Sequence, residues 1–344
     1  MMPNEITHQR LRCQEMRGPH RGGKQQKISP TRLAPFEFAM VIERARTVLP
    51  RGARRLPDFP IELPSRHANF FPMPPVHLEK VLRHAERELV HQSHLRPTDL
   101  LDIYRRFLKL EEHRLKLEHN HGEGGRDLCK KRADVISVML RHLWNSAWET
   151  HLRSNLEKPP RIALLAVGGF GRGELNPYSD IDILFLYPDN GGKLTAQVND
   201  IVQHVLYMLW DIGFQVGHAT RTMQEVVTQA NGDLRTKTSL LEARFLSGDD
   251  SLFAEFEKTF ERKCLHGHEK EYLAWRVGDQ RDRHEKVGNT PFLQEPNVKN
   301  GCGGLRDYQN LLWVGKVKRG LANTQAFVDA QLITAAERVA TPLR

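Results

Sequence analysis

Cysteine is scarce in this chain. Four occur in 344 residues, Cys13, Cys129, Cys264 and Cys302, and none forms a C-x-x-C pair. Such wide spacing supplies neither a disulfide frame nor a zinc site, and it suits reduced thiols in a cytoplasm. Long apolar runs are missing as well. The longest, around Ile162–Val167, is far short of the roughly 20 residues that a membrane-spanning helix needs. The N-terminus, MMPNEITHQRLRCQ, has charges but no apolar core behind them, which excludes a secretory signal. No internal repeat is evident.

What is present is a charged chain of ordinary apolar content, 39% hydrophobic and 27% charged, with a net charge of +9. Its length allows two domains, or one domain with a long tail. Much of the basic excess lies early, from Arg10, Arg12 and Arg17 to Arg51, Arg54 and Arg55. A nucleic-acid-binding tail would have this composition. The proline and glycine content and the weak periodicity favour an unstructured basic leader over residues 1–75, and nucleic acid is not the expected partner.

Helical spacing of apolar residues begins near Val76, and residues 76–157 read as an N-terminal helical region. Its segments are His77–Val90, Pro97–His119 and Asp127–Leu156, closed by Lys158-Pro159-Pro160. Residues 158–250 read as a core. Leu194–Ile212 carries Val198, Ile201, Val202, Val205, Leu206 and Leu209 on one side, so it is expected as a helix covering a sheet and ending at Gly213. Phe214–Thr220 reads as a strand, and Asp233 as the cap of a helix through Phe245 that ends at Gly248. Residues 251–344 read as helical again.

The most informative stretch is Leu164–Leu186, LLAVGGFGRGELNPYSDIDILFL. An apolar strand runs into a Gly-Gly turn, and Asp180 and Asp182 follow with one isoleucine between them. Strand alternation puts both carboxylates on one face and Ile181, Ile183 and Phe185 on the other. Two carboxylates so placed repel each other unless a cation or proton sits between them. Beside a turn free of side chains, such a pair suits Mg²⁺-nucleotide chemistry: carboxylate oxygens for the hard cation, backbone N–H groups for the phosphates.

Gly-Gly, about ten residues and then Asp-x-Asp in a second strand resembles the nucleotidyltransferase superfamily of DNA polymerase beta. The fuller run GGFGRGELNPYSDIDIL, with a second block Gln294–Asp307 (QEPNVKNGCGGLRD) downstream, resembles the bacterial [protein-PII] uridylyltransferases over roughly residues 80–320. The second block departs from the family pattern at Gln294, where leucine is usual, and at Cys302, where proline is usual. The resemblance implies an α+β fold: a small polymerase-beta-like sheet with flanking helices, preceded and followed by helical segments. It further implies a transferase moving UMP from UTP to a tyrosine of a PII-type nitrogen-regulatory protein, with release of pyrophosphate. A non-catalytic Mg-NTP-binding module, or a related transferase with another nucleotide or target, is the alternative. In full-length members the transferase precedes an HD phosphohydrolase and two ACT domains. Those parts lie beyond this sequence, so glutamine sensing and nucleotide removal are not expected of it.

Nucleotidyl transfer builds charge on phosphate oxygens at both ends of an in-line displacement, which two metal ions on shared carboxylates can stabilise. Asp180 and Asp182 are the expected ligands for a two-ion Mg²⁺ site. Gly168, Gly169 and Gly171 form the nucleotide-binding turn, and Ser179 could bind a phosphate oxygen. Arg172 either neutralises phosphate charge or pairs with Glu174. The superfamily's usual third carboxylate has no counterpart in FQVGHATRT. Asp233 and Glu242 are the nearby candidates, the first equally a helix cap and the second equally an arginine partner. In the second block, Glu295, Asn297, Lys299, Gly303, Gly304, Arg306 and Asp307 carry the family match. That loop either brings Lys299 and Arg306 toward the site or packs the helical region on the core.

Overall fold

A computed structural model describes residues 75–89, 97–154, 160–189, 195–321 and 323–335. The basic leader expected over residues 1–75 and the Lys158-Pro159-Pro160 break lie outside the described residues except for Pro75 and Pro160.

Three helices come first: α1 (Val76–Glu88), α2 (Pro97–Asn120) and α3 (Gly125–Ser154). The core follows as β1 (Ala163–Ala166), a single helical turn α4 (Gly168–Gly171), β2 (Ile181–Tyr187), α5 (Ala196–Ile212) and β3 (Val216–Thr222). Then come α6 (Met223–Gly232), α7 (Leu234–Leu241), β4 (Arg244–Gly248) and α8 (Asp250–Phe260), which runs into a wide π-type turn, Glu261–Leu265. The last described helices are α9 (Glu269–Lys286), α10 (Leu305–Arg319) and α11 (Thr324–Asp329). The architecture is α+β, as expected.

The strands form one sheet in the order β3-β2-β1-β4. β1 runs antiparallel to β2 and β4, while β2 and β3 are parallel. The parallel pair follows from the helical crossover α5, since parallel neighbours cannot be joined by a tight turn. Both faces of the sheet are covered, so its central strands are apolar throughout rather than alternating. Ile162, Leu164, Ile181, Ile183 and Phe185 face α1, α2, α3 and α5. Leu165, Leu184 and Leu186 face α6, α7 and α8. Trp144 of α3 stacks on Phe185 at 6.5 Å between ring centroids. Beneath α1 and α2, buried Glu111 pairs with His84 and with Arg114.

The apolar stripe of α5 is buried at all six expected positions, and Gly213 closes the helix in the left-handed conformation at φ 110°. One expectation fails. The helix capped by Asp233 stops at Leu241, and Arg244–Gly248 is a strand, not the end of that helix. The free edge of β1 recruits this segment, and the ladder bonds outweigh a helical pattern that no glycine or proline interrupts. Among the described residues no helix is long and apolar enough to cross a membrane.

Asp249 fixes the start of α8. Its carboxylate accepts from the backbone N–H of Leu252 at 3.0 Å and pairs with Arg161 at 2.6 Å. The Arg161 and Ser251 donors and that N–H hold its carboxyl down at about 2, against burial, which acts the other way. Asp249→Ala should cost about 1 kcal/mol through loss of the cap. Because the folded-state value is depressed, the stabilisation is complete above the unfolded carboxylate value of about 4 and is lost as pH falls through about 2. Denaturant unfolding of both forms at pH 7 and near pH 2 should show a gap at the first that narrows at the second.

Candidate active site

The site begins where β1 ends. All four β1 residues are buried, and the chain leaves the sheet at Val167, whose N–H donates to the Asp182 carbonyl at 3.0 Å. That bond sets the glycine turn against the start of β2. Gly168 sits in the left-handed region, φ 59°, which a side chain would strain. Within α4, Gly171 N–H returns to the Val167 carbonyl at 3.0 Å and Arg172 N–H to that of Gly168 at 2.9 Å. The opening N–H groups of such a turn have no intrahelical acceptor and are available to an anion.

Asp182 lies in β2 on the face of Leu184 and Leu186, opposite Ile181 and Ile183, as the alternation requires. Asp180 stands one residue ahead of the strand, exposed, and Asp182 is half-buried. Burial lifts the Asp182 carboxyl above the usual carboxylate range, and the charge of Asp180 adds to the lift. Each of these effects is reversed by a cation between the two groups.

Glycine borders this carboxylate on two sides and makes room for it on one. A Cβ on Gly168 would lie 3.4 Å from one Asp182 oxygen and 3.4 Å from the hydroxyl of Ser239. A Cβ on Gly217, the residue paired with Asp182 across the parallel ladder, would come within 2.3 Å of the other oxygen. Neither Gly217 nor Ser239 was among the expected site residues. Gly217 had a signal, since a glycine inside a strand marks a close approach. Ser239 had none.

Gly171 has a different task from its neighbours. A Cβ there would strike the Glu242 carbonyl at 2.2 Å and the Ala166 carbonyl at 2.8 Å, so it lets α4 lie against the end of α7. The carbonyls of Phe170 and Gly171 accept from Arg244 at 3.1 and 3.2 Å. Arg172 makes the paired choice: it donates to Glu174 at 2.9 Å and to Glu242. Glu242 also accepts from the indole N–H of Trp313 at 2.6 Å. Asp233 is engaged at its cap, accepting from Thr236 N–H at 2.6 Å. Both third-carboxylate candidates thus have other employment. Among the described residues no third acid, histidine or cysteine joins Asp180 and Asp182 as a metal-holding group. Ser179 is half-buried beside Asp180.

The second block builds a loop that folds onto the start of α10. Asn297 caps it, its side chain accepting from Asn300 N–H at 2.9 Å. Gly304 lies where a Cβ would be 2.9 Å from two carbonyls, and Gly303 has φ 73°. Glu295 and Lys299 are exposed. Asp307 is buried and draws in Arg283 at 3.1 Å, His284 at 2.8 Å and Gly303 N–H at 2.8 Å. Arg306 and buried Arg276 both lie over the Trp313 ring, at 5.6 and 4.7 Å. Burial, and after it the charge of Arg172, presses the Arg306 guanidinium below its ordinary range. The block therefore fastens the helices to the core, and Arg306 comes near Arg172 while Lys299 stays outside.

Comparison with known proteins agrees with this arrangement. Residues 149–239 match the nucleotidyltransferase domain, and residues 271–341 match GlnD PII-uridylyltransferase. The chain is uridylyltransferase-like. It is 40% identical over 215 residues to a bifunctional uridylyltransferase/uridylyl-removing enzyme of Erythrobacter litoralis, covering 62% of this chain and 23% of that protein. It is 41% identical over 203 residues to one of Novosphingobium aromaticivorans, covering 59% and 22%. A Bradyrhizobium enzyme of the same name is 37% identical over 223 residues, covering 64% and 23%. The chain thus spans less than a quarter of the length of these relatives.

Two outcomes separate the metal pair from the fastening block. Gly217→Ala should weaken Mn²⁺ binding about 10- to 100-fold, as expected when a carboxylate's surroundings displace it. Gly232→Ala, where a Cβ meets nothing within 4 Å, should leave it unchanged. Asp307→Asn should lower unfolding free energy by about 2 kcal/mol, because it removes the buried carboxylate that accepts from half-buried Arg283, and should spare Mn²⁺ affinity in a paramagnetic-resonance titration.

Proposed function

We propose that this chain is a nucleotidyltransferase that moves UMP from UTP to a tyrosine hydroxyl of a PII-type signalling protein in the cytoplasm, releasing pyrophosphate. The observation that carries the reading is the Asp180–Asp182 pair set against the Gly168 turn, with Gly217 leaving space for an Asp182 carboxylate oxygen. The uridine and the PII acceptor rest on the likeness to the bifunctional uridylyltransferases.

The donor set fits Mg²⁺. It consists of carboxylate oxygens, with the hydroxyls of Ser179 and Ser239 nearby, and hard oxygen ligands suit that ion. Asp180 and Asp182 would hold it, and the raised Asp182 carboxyl is what a half-buried ligand shows without its cation. When bound, two such ions would neutralise the charge that develops on phosphate oxygens at the attacked and departing positions.

The chain's own residues orient the reaction. Gly168 and Gly169 present backbone N–H groups to the triphosphate without side chains in the way. Arg172 is locked by Glu174 and Glu242, so its charge stands beside the turn in a fixed place and loses little entropy on binding an anion. A half-buried face limits water near Asp182 and strengthens its attraction for cations.

Asp182→Asn should reduce UMP transfer by about 10²-fold or more, the loss typical of a group that stabilises transition-state charge. The metal-free variant should melt no lower than the parent, since it removes a repulsive charge. Labelled UTP, Mg²⁺ and a purified PII-type protein provide the assay. A variant retaining a tenth of the parental rate would remove Asp182 from the ligand set.

A further inference from the structure

A second concavity opens beside the catalytic loop. It encloses about 1060 Å³ between α2, α3 and residues 172–178, with the start of α10 as its floor. That volume is at the upper end for a small-molecule site. Its apolar lining comes from Leu115, Leu128, Pro177 and Leu305. Its charges are unequal. Lys109, Lys116, Arg126, Arg132 and Arg172 face two carboxylates, Glu112 and Glu174.

Both carboxylates are already taken. Glu112 is held by Arg132 at 2.7 Å, and Glu174 by Arg172 at 2.9 Å with Arg126 at 3.5 Å. Lys109 and Lys116 are left exposed, with no carboxylate partner among the described residues. With His113 and His119 they follow the cleft along one side of α2. The ten helical steps from residue 109 to residue 119 extend about 15 Å. An extended peptide of four or five residues has that length. A single triphosphate needs less, and its place is at the metal pair. Tyr178 lines the cleft, is fully exposed and stands two residues ahead of Asp180. Two residues of chain span at most about 7 Å, so this part of the cleft lies near the carboxylate pair.

We propose that this cleft is the groove for the acceptor protein: it takes an extended, acidic segment of the PII-type partner along Lys109 and Lys116 of α2 and delivers the acceptor hydroxyl past Tyr178. This rests on the nucleotidyl-transfer reading above and adds where the acceptor binds and by what charge. Apolar contacts from Leu115 and Pro177 would hold the segment's side chains, and the two free lysines would select its acidic residues.

The test is equilibrium binding of a purified PII-type protein to the full chain, without nucleotide, by fluorescence anisotropy. The parent is compared with a Lys109→Glu/Lys116→Glu double variant, and UTP binding with Mn²⁺ is measured separately on both. Both sites are exposed, and unchanged circular dichroism checks the fold. The proposal expects the double variant to bind the acceptor at least about tenfold more weakly, with a parental UTP affinity. Affinity of the parent should also fall with added salt more steeply than that of the variant. Unchanged acceptor binding overturns the groove, and so does a parent that binds no PII-type protein. An equal loss of UTP binding would place the nucleotide in the cleft and also overturns it. Charge-dependent binding of single-stranded RNA, with acceptor binding unaffected, would do the same. Failure of the parent to bind UTP would remove the transferase reading instead.

Discussion

The constraint on which this molecule turns is the space around one carboxylate. Asp182 stands half-buried on a sheet face, two residues after Asp180, and a side chain on the strand beside it would crowd its oxygens. The strand that carries it is packed on both sides, so that space has to be made by deletion. Gly217 makes it from the neighbouring strand, where a Cβ would lie 2.3 Å from a carboxylate oxygen. The parallel pairing of β2 with β3 is what puts Gly217 opposite Asp182, and that pairing exists because α5 carries the chain across the sheet. The crossover helix α5 thereby fixes which residue lies opposite Asp182.

A second requirement is that the glycine turn keep its shape although its own residues give it little rigidity. Four residues, three of them glycine, form α4, and glycine contributes no side-chain packing and loses the most backbone freedom on folding. The order comes from outside. Arg244 of β4 holds the Phe170 and Gly171 carbonyls. Arg172 is held by Glu174 and Glu242. The C-terminal end of the turn is thus tied both to the edge strand and to the end of α7.

The order in which these parts could be read from the sequence follows the range of the interactions. The Asp pair, the turn and the face carrying Ile181 and Ile183 are set by local alternation, and α5 by a local period, so each was legible. β4 was not. Residues Arg244–Gly248 become a strand only because β1 has an unpaired edge, and their own pattern continues that of α7. Gly217 was legible in principle as an isolated glycine in a strand, but its partner across the sheet could be assigned only with the register known. The contact of Glu242 with Trp313 spans 71 residues, and no pattern in either segment announces it. Of the two uses open to Arg172, the structure shows the pairing with Glu174 and adds Glu242 as a second acid.

Glu242 also explains why two separate blocks of sequence belong together. It lies between the two segments that match known families, 149–239 and 271–341, and it touches both. On one side it receives Arg172 from the glycine turn, and on the other Trp313 from α10. Lys316 adds a bond from α10 to the Leu241 carbonyl at 2.6 Å. The second block holds α10 in that position: Asp307 binds Arg283 and His284 of α9, and Arg276 of α9 reaches Asn310 of α10 at 2.6 Å. Any loosening of this helical pair would pass through Trp313 to Glu242 and free Arg172 from one of its two anchors. A loop that touches neither Asp180 nor Asp182 is thus coupled to Arg172 beside the glycine turn, and not to the aspartate pair itself.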